Sequence, residues 1–516
     1  MSFEIRRRDF LRLGAIGSVI AASSPYTVLS TTLDFQLLDA TSILYGSLTK
    51  SYNRRTQGTP RLIARCFTAE GVRLALELAL QQQWIPITVR SGGHCFENFV
   101  TGNSGGFLID VSQLSTIERA SPSLYRFGAG CTLGQIYNNL DSRWQVTIPG
   151  GSCPSVGLSG HALGGGYGFL SKRYGLVADY LRGVELVHVN DKGEVLRTYF
   201  DATTPQGAEA LWAHSGGGGG QFGIVTRLDF RTLPTRPSLM SLGRLEWRWS
   251  DMNFSRFRSL LRAFTTYCAA NKAFTSLGGK MVAGLGVSHV SNGRIVVNAV
   301  SSDPTALDLK MFLDSMLYSA GIKATTGARF LSTSSVAYTA KGVPYEKVSW
   351  RQCISIFGGA NSTQRSKQKS AFVRRAFTDT HISVLYKYLK EDLAVSGSAS
   401  FNLASFGGAV NNLSETAIAF RERSSAMRIL TQVYWSDAAK DATNLSWCRR
   451  FHQELFADQG GEPIPSYFWG GAYVNYPDRD LVNYHDIYYG INLPRLVQVK
   501  RALDPMNIFK HPQGVI

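Results

Sequence analysis

At 516 residues, with 44% hydrophobic and 18% charged side chains, the chain is too long for one ordinary core and has the balance of a folded protein of two or more domains. Its formal charge of +17 is scattered: Arg6–Arg8 is the only run of three basic residues, and no zinc-ligand spacing, basic-region heptad or RNA-binding aromatic motif accompanies it. That pattern argues against nucleic acid as a partner and implies solubility with some attraction for polyanions.

Taken in chain order, residues 1–30 read as an address. Paired arginines ahead of Phe10-Leu11 have the pattern of a twin-arginine export signal. The apolar stretch Leu13 to Ala22 that follows is too short and too weakly apolar for a stable membrane anchor. The segment carries four Arg, one Glu and one Asp, so its removal leaves about +15. The spacing then predicts a helix over 68–83 and a strand over 85–90, delivering the turn Ser91-Gly92-Gly93 and His94. Strands are expected at 107–111 and 124–128, and a helix at 132–144. A glycine-rich run from Gly150 to Gly168 follows and holds Cys153. A strand over 183–189 turns at Asn190–Gly193. A helix ending at His214 leads through five glycines, 216–220, into a strand over 223–230. Pro234 and Pro237 mark a boundary, beyond which helices at 254–270 and 305–319 alternate with a strand at 294–300. No G-x-G-x-x-G joins a strand to a helix and no G-K-[ST] occurs, so Rossmann and P-loop readings fail. The seven cysteines form no C-x-x-C, which leaves metal and thioredoxin-like redox readings without support and fixes no disulfide pairing.

The two glycine-rich loops, each delivering one nucleophilic side chain, resemble those of the berberine bridge enzyme-like branch of the vanillyl alcohol oxidase superfamily. The resemblance rests on Arg90-Ser91-Gly92-Gly93-His94 and on Gly150 to His161 with Cys153. It extends to Leu211–Thr226, to Tyr473-Val-Asn-Tyr-Pro-Asp478, to Tyr488–Asn492 with Arg495-Leu496, and to Asp504–Phe509. It implies an α+β fold: a two-part FAD-binding domain of the PCMH type (31–236 and 467–516), with an α/β substrate domain (237–466) inserted between the parts. It also implies FAD bonded twice, through His94 to the 8α-methyl carbon and through Cys153 to C6. Arg90, Ser91, Gly92, Gly93, Cys95, Val156, Gly157, Gly160, Gly164, Gly165, Gly223, Ile224, Val225 and Asn475 would complete the cofactor site, and no metal is implied. His161 would support packing.

Flavin carries the electronic burden of alcohol oxidation, so the protein must supply position and a base. The resemblance places that base at Tyr476. A free phenol titrates near ~10, so the role needs positive charge or hydrogen bonds to the phenolate nearby. Tyr473 is the competitor and, in an extended segment of alternating sides, would face away from Tyr476; Asp478 would orient the loop. The resemblance also makes Val156, three residues after the bonding cysteine, the position that influences oxygen access, and a small valine there implies reoxidation by O₂ with release of H₂O₂. The expected function is an exported, periplasmic or extracellular oxidase of an alcohol on a sugar or on a glycosylated or polycyclic metabolite. The alternatives are a dehydrogenase of the same fold using another acceptor, and a non-catalytic basic protein of the cell surface. Trp247, Trp249, Tyr338, Tyr345, Trp350, Tyr386, Tyr388, Tyr434 and Trp435 are candidates for a carbohydrate platform or for core.

Overall fold

Three sheets organise the chain. The computed structural model describes residues 30–31, 34–326, 330–332, 334–359 and 364–515, and the twin-arginine pattern lies outside them. The first sheet contains β1 (Ser30–Thr31), β2 (Phe35–Leu38), β3 (Leu62–Cys66), β4 (Ile87–Arg90) and β5 (Phe107–Asp110), in the order β1-β2-β3-β5-β4. β5 runs parallel to both neighbours and is buried along its whole length, as a central parallel strand requires. The helix Ala69–Gln81 covers this sheet. Thr68 caps it by accepting from the Gly71 N–H, and Val72, Ala75, Leu76 and Ala79 form its buried stripe.

The second sheet is antiparallel throughout. It orders β6 (Ile117–Ser121), β7 (Leu124–Gly128), β8 (Leu181–Val189), β9 (Val195–Asp201) and β10 (Ile224–Arg231) as β6-β7-β10-β8-β9. A capping box between Thr132 and Gln135 starts the helix Leu133–Trp144 beside it. The C-terminal helix Leu493–Leu503 returns to this region: Arg495 forks onto Glu209 through two 2.7 Å bonds, and Lys500 Nζ donates to the Gln221 carbonyl at 2.7 Å.

The third sheet has eight antiparallel strands: β11 (Met240–Arg248), β12 (Val282–Ser288), β13 (Arg294–Ser301), β14 (Ser335–Tyr338), β15 (Pro344–Val348), β16 (Arg365–Val373), β17 (Ser398–Ser405) and β18 (Met427–Trp435). Their order is β14-β15-β11-β13-β12-β17-β18-β16. Strict alternation gives its central strands two jobs. Ala283, Leu285, Ile295, Val297, Ile429 and Val433 enter a core that also holds the buried stripe of the helix Phe254–Ala270. Their alternates, Val282, Gly284, Asn298, Val300, Arg428, Leu430 and Gln432, line a cavity against the first two sheets. A one-residue slip of register would exchange these two sets.

Candidate active site

The cavity has a volume of about 640 Å³. β4 delivers Arg90, Ser91, Gly92, Gly93, His94 and Cys95 to its wall. The run after the helix Leu133–Trp144 delivers Cys153, Val156, Gly157 and Gly160, the head of β10 delivers Gly223, Ile224 and Val225, and the C-terminal segment delivers Asn475 and Tyr476. Two expected lining residues stand outside it. Gly164 packs on Asn475 and Gly165 on Phe420; a Cβ on either would come within 2.1 Å and 2.6 Å of those side chains. Their glycines serve close packing behind the wall.

Ser155 joins the two nucleophile loops. Its Oγ lies 2.8 Å from His94 Nε2 and 3.6 Å from Cys153 Sγ. The His94 ring stacks on Tyr52 with centroids 5.0 Å apart. Behind them the loops meet backbone to backbone: a Cβ on Gly92 would lie 2.2 Å from the Gly157 nitrogen. Gly92→Ala is therefore expected to part the loops at a cost of about 1–3 kcal/mol, the scale of overpacking. The purified variant should show a severalfold lower ratio of flavin to protein absorbance than the parent.

Several features of this wall fit FAD. Arg90 Nη1 bonds Asp110 at 2.7 Å, while its Nε is buried without a partner. At Gly160 and Gly220 a Cβ would meet no protein atom within 4 Å. Both glycines line the cavity, so a side chain there would occupy the space itself.

Opposite the anchors sits a cluster of tyrosines. The Tyr167 hydroxyl donates to the Tyr476 oxygen at 2.9 Å, and Phe96 stacks on Tyr476 at 5.0 Å. Tyr473 does not face away. Residues 473–476 form a turn closed by Tyr476 N–H to the Tyr473 carbonyl at 2.8 Å, and the two rings meet edge to face at 5.0 Å. The Tyr473 hydroxyl accepts from Gly166 N–H and Asn475 Nδ2, each at 3.0 Å. Burial pushes its pKa up, as it does for Tyr167. His161 accepts the Gly151 N–H at 3.1 Å, and burial pushes its pKa down to about 4, so it stays neutral.

Of the nine aromatics considered for a carbohydrate platform, none lines the cavity. Trp247, Trp249, Tyr345, Trp350, Tyr388 and Trp435 are buried in the cores, Tyr386 packs partly buried against the core of the third sheet, and Tyr338 is exposed. Only Tyr434 comes close, with its hydroxyl 3.2 Å from that of Tyr52. The aromatic wall is instead Tyr52, Phe96, Tyr167, Phe169, Phe357 and Phe406.

Sequence reasoning also missed a buried ionic cluster behind the His94 and Tyr476 loops. Lys367 Nζ lies 2.6 Å from Glu97 Oε1 and 2.6 Å from Asp478 Oδ1; Lys369 Nζ lies 2.7 Å from Asp478 Oδ2 and 2.9 Å from Asp480. Burial works against the Lys367 charge, yet the carboxylates of Asp478, Glu97 and Asp480 outweigh it and hold the pKa above the ordinary lysine value. Burial likewise works against Asp478 as a carboxylate, and Lys367 and Lys369 hold its pKa below the usual range. The signal in the sequence is the alternation Ser366-Lys-Gln-Lys-Ser370, a polar strand that is buried at every one of those positions.

Residues 60–199 match the family model of an FAD binding domain, and residues 472–516 match that of berberine and berberine-like proteins. The aclacinomycin-N/aclacinomycin-A oxidase of Streptomyces galilaeus is 34% identical over 498 residues, covering 91% of this chain and 87% of that protein. The hexose oxidase of Chondrus crispus is 30% identical, covering 91% and 92% respectively. A glycopeptide hexose oxidase solved in complex with teicoplanin superposes with a TM-score of 0.85 at 29% identity, over 93% of this chain and 99% of the other.

Proposed function

The chain belongs to the berberine bridge enzyme-like family of FAD-linked oxidoreductases, and from that membership we propose that it binds FAD through both His94 and Cys153 and oxidises an alcohol at the expense of O₂. One observation carries this reading: His94 Nε2 and Cys153 Sγ both reach the Ser155 hydroxyl on a single cavity that Tyr476 also lines. Arg90, whose Nε is unspent, and the Ser91–Gly93 turn line the cavity together, a guanidinium beside successive backbone amides that would suit a pyrophosphate.

Bound FAD supplies the hydride acceptor and the route by which the electron pair leaves. Tyr476 takes the proton of the substrate hydroxyl. Tyr167, donating to the same oxygen, orients it for the transfer. Phe96 and Tyr473 hold the Tyr476 ring in place, and the largely apolar walls keep water from the reacting carbon. Val156 is small and lines the cavity, which suits access by O₂. Substrates of the kind named for the relatives, a hexose or a glycosylated polycyclic metabolite, fit the reading. The twin-arginine pattern supports export of the folded, flavin-loaded protein to the periplasm or beyond.

The test is direct. Acid-precipitated protein should stay yellow, and peptides containing residues 94 and 153 should both carry flavin mass. His94→Ala and Cys153→Ala singly should keep colour in the precipitate, and the double variant should lose it. Alcohol-driven oxygen uptake should yield one H₂O₂ per O₂. Unmodified peptides from flavin-replete protein would refute the double attachment. A reduced form that persists in aerated buffer would assign the chain to the dehydrogenases.

A further inference from the structure

The cavity wall contributed by the third sheet carries a charge with no counter-ion among the described residues. Among the described residues no Asp or Glu lines the cavity. Of the other cations that line it, Arg90 is paired with Asp110 at 2.7 Å, Lys172 donates to the Asn271 carbonyl at 3.0 Å, and Lys510 is exposed on the C-terminal segment rather than on this sheet. Arg428, on β18, makes no ion pair and no hydrogen bond among the described residues. Its guanidinium lies over the face of the Tyr167 ring, 4.2 Å from the centroid. That position holds the group by cation–π attraction while leaving its planar fork of N–H donors unspent. Three strands away in the sheet, across β17 and β12, the Asn298 amide oxygen is buried without a donor, and it too belongs to a residue lining the cavity. On β12, between those strands, the floor is kept low: a Cβ on Gly284 would meet only the Leu403 carbonyl, at 3.7 Å.

A half-buried guanidinium without a counter-ion is costly, and so is a buried amide oxygen without a donor. Both costs vanish when a ligand brings an oxyanion to the one and a hydroxyl to the other. The Arg428 charge acts on the Tyr167 and Tyr473 phenols from over the Tyr167 ring face, while its N–H donors bond neither the Tyr167 nor the Tyr476 oxygen and stay free for a ligand. We propose that the substrate is a carboxylate-bearing alcohol, an acidic sugar or a sugar-bearing acid, with its carboxylate on Arg428 and a hydroxyl on Asn298. Bidentate pairing suits a guanidinium to a planar carboxylate. Only one tyrosine, Tyr167, separates this anion site from the Tyr476 oxygen, which places charge recognition beside the reacting carbinol. The proposal rests on the alcohol-oxidation reading above.

Anaerobic holoenzyme titrated with D-glucuronate, followed by flavin absorbance, tests it. D-glucuronamide, with the same hydroxyls and no charge, is the control. The dissociation constant for D-glucuronate should be at least about tenfold lower, the scale of a charge-assisted hydrogen bond. In Arg428→Gln the two should agree within about twofold, and Arg428→Lys should recover part of the difference. Equal affinities in the parent protein, a ratio unchanged in Arg428→Gln, or no saturable response to D-glucuronate overturns the proposal. So does an Arg428→Gln variant that shifts the rate–pH profile for a neutral sugar while keeping the ratio, because that assigns Arg428 to the phenol pair. If Arg428→Gln does not fold, the ratio in the parent protein decides alone. Where D-glucuronate reduces the flavin, the dissociation constant is read from saturation of the reduction rate, and where it does not, from the spectral shift on binding; failure of the oxidase reading therefore appears separately, as a flavin that no alcohol reduces.

Discussion

Tyr476→Phe slows anaerobic flavin reduction by at least about a hundredfold, the usual scale for a lost general base, and leaves the covalent flavin in place. The phenylalanine ring keeps the stack on Phe96 and the edge contact with Tyr473, so the substitution removes one oxygen and little packing. What disappears is the acceptor that Tyr167 addresses at 2.9 Å. Tyr473→Phe makes the discriminating comparison. Its hydroxyl already accepts from a backbone N–H and an asparagine side chain, so its loss orphans Gly166 and Asn475 and costs stability more than rate. Stopped-flow reduction of both variants with one substrate checks the assignment. A normal rate in Tyr476→Phe beside a hundredfold loss in Tyr473→Phe would transfer the role to Tyr473.

The parts of this site that lie within one loop were legible in the chain. Arg90 to His94 and Gly150 to Gly160 pair glycines that permit close approach with a side chain able to bond, and that pattern is local. The helix expected over 68–83 from its apolar positions is observed at 69–81, and the one expected over 132–144 at 133–144. Tyr473 was misjudged because a strand was assumed where Asn475 and Pro477 favour a turn; the turn brings the two rings together. The aromatics of the third sheet were not resolvable, since alternation separates two faces without saying which meets a cavity. Tyr167 stood in plain view within Gly164–Gly168, but its partner is 309 residues away. Ser155 differs, because its hydroxyl acquires meaning only when His94 arrives from another loop. Long-range pairing of this kind leaves no periodic trace.

The strongest case of such pairing is Lys367, and its removal carries the largest expected stability effect. Lys367→Met leaves Glu97 and Asp478 facing one another in the interior without the ammonium between them, a loss of about 3–5 kcal/mol for a buried pair broken on one side. Calorimetry of the holoenzyme should show a clearly lowered Tm. Combining Lys367→Met with Asp478→Asn should cost less than the sum of the two single changes, because the second removes a charge that the first stranded. The sign with pH follows from the same geometry. Asp478 titrates below its ordinary value, so its contribution is in place above about pH 4 and lost as pH falls through the folded value. Lys367 titrates above its ordinary value, so its contribution is in place below about pH 10 and lost as pH rises through the folded value. Between those limits the cluster ties the segment after His94 to the segment after Tyr476 across β16. A Lys367→Met protein as stable as the parent at neutral pH would mean that Lys369 on Asp478 and Arg55 on Glu97, not Lys367, compensate the two carboxylates.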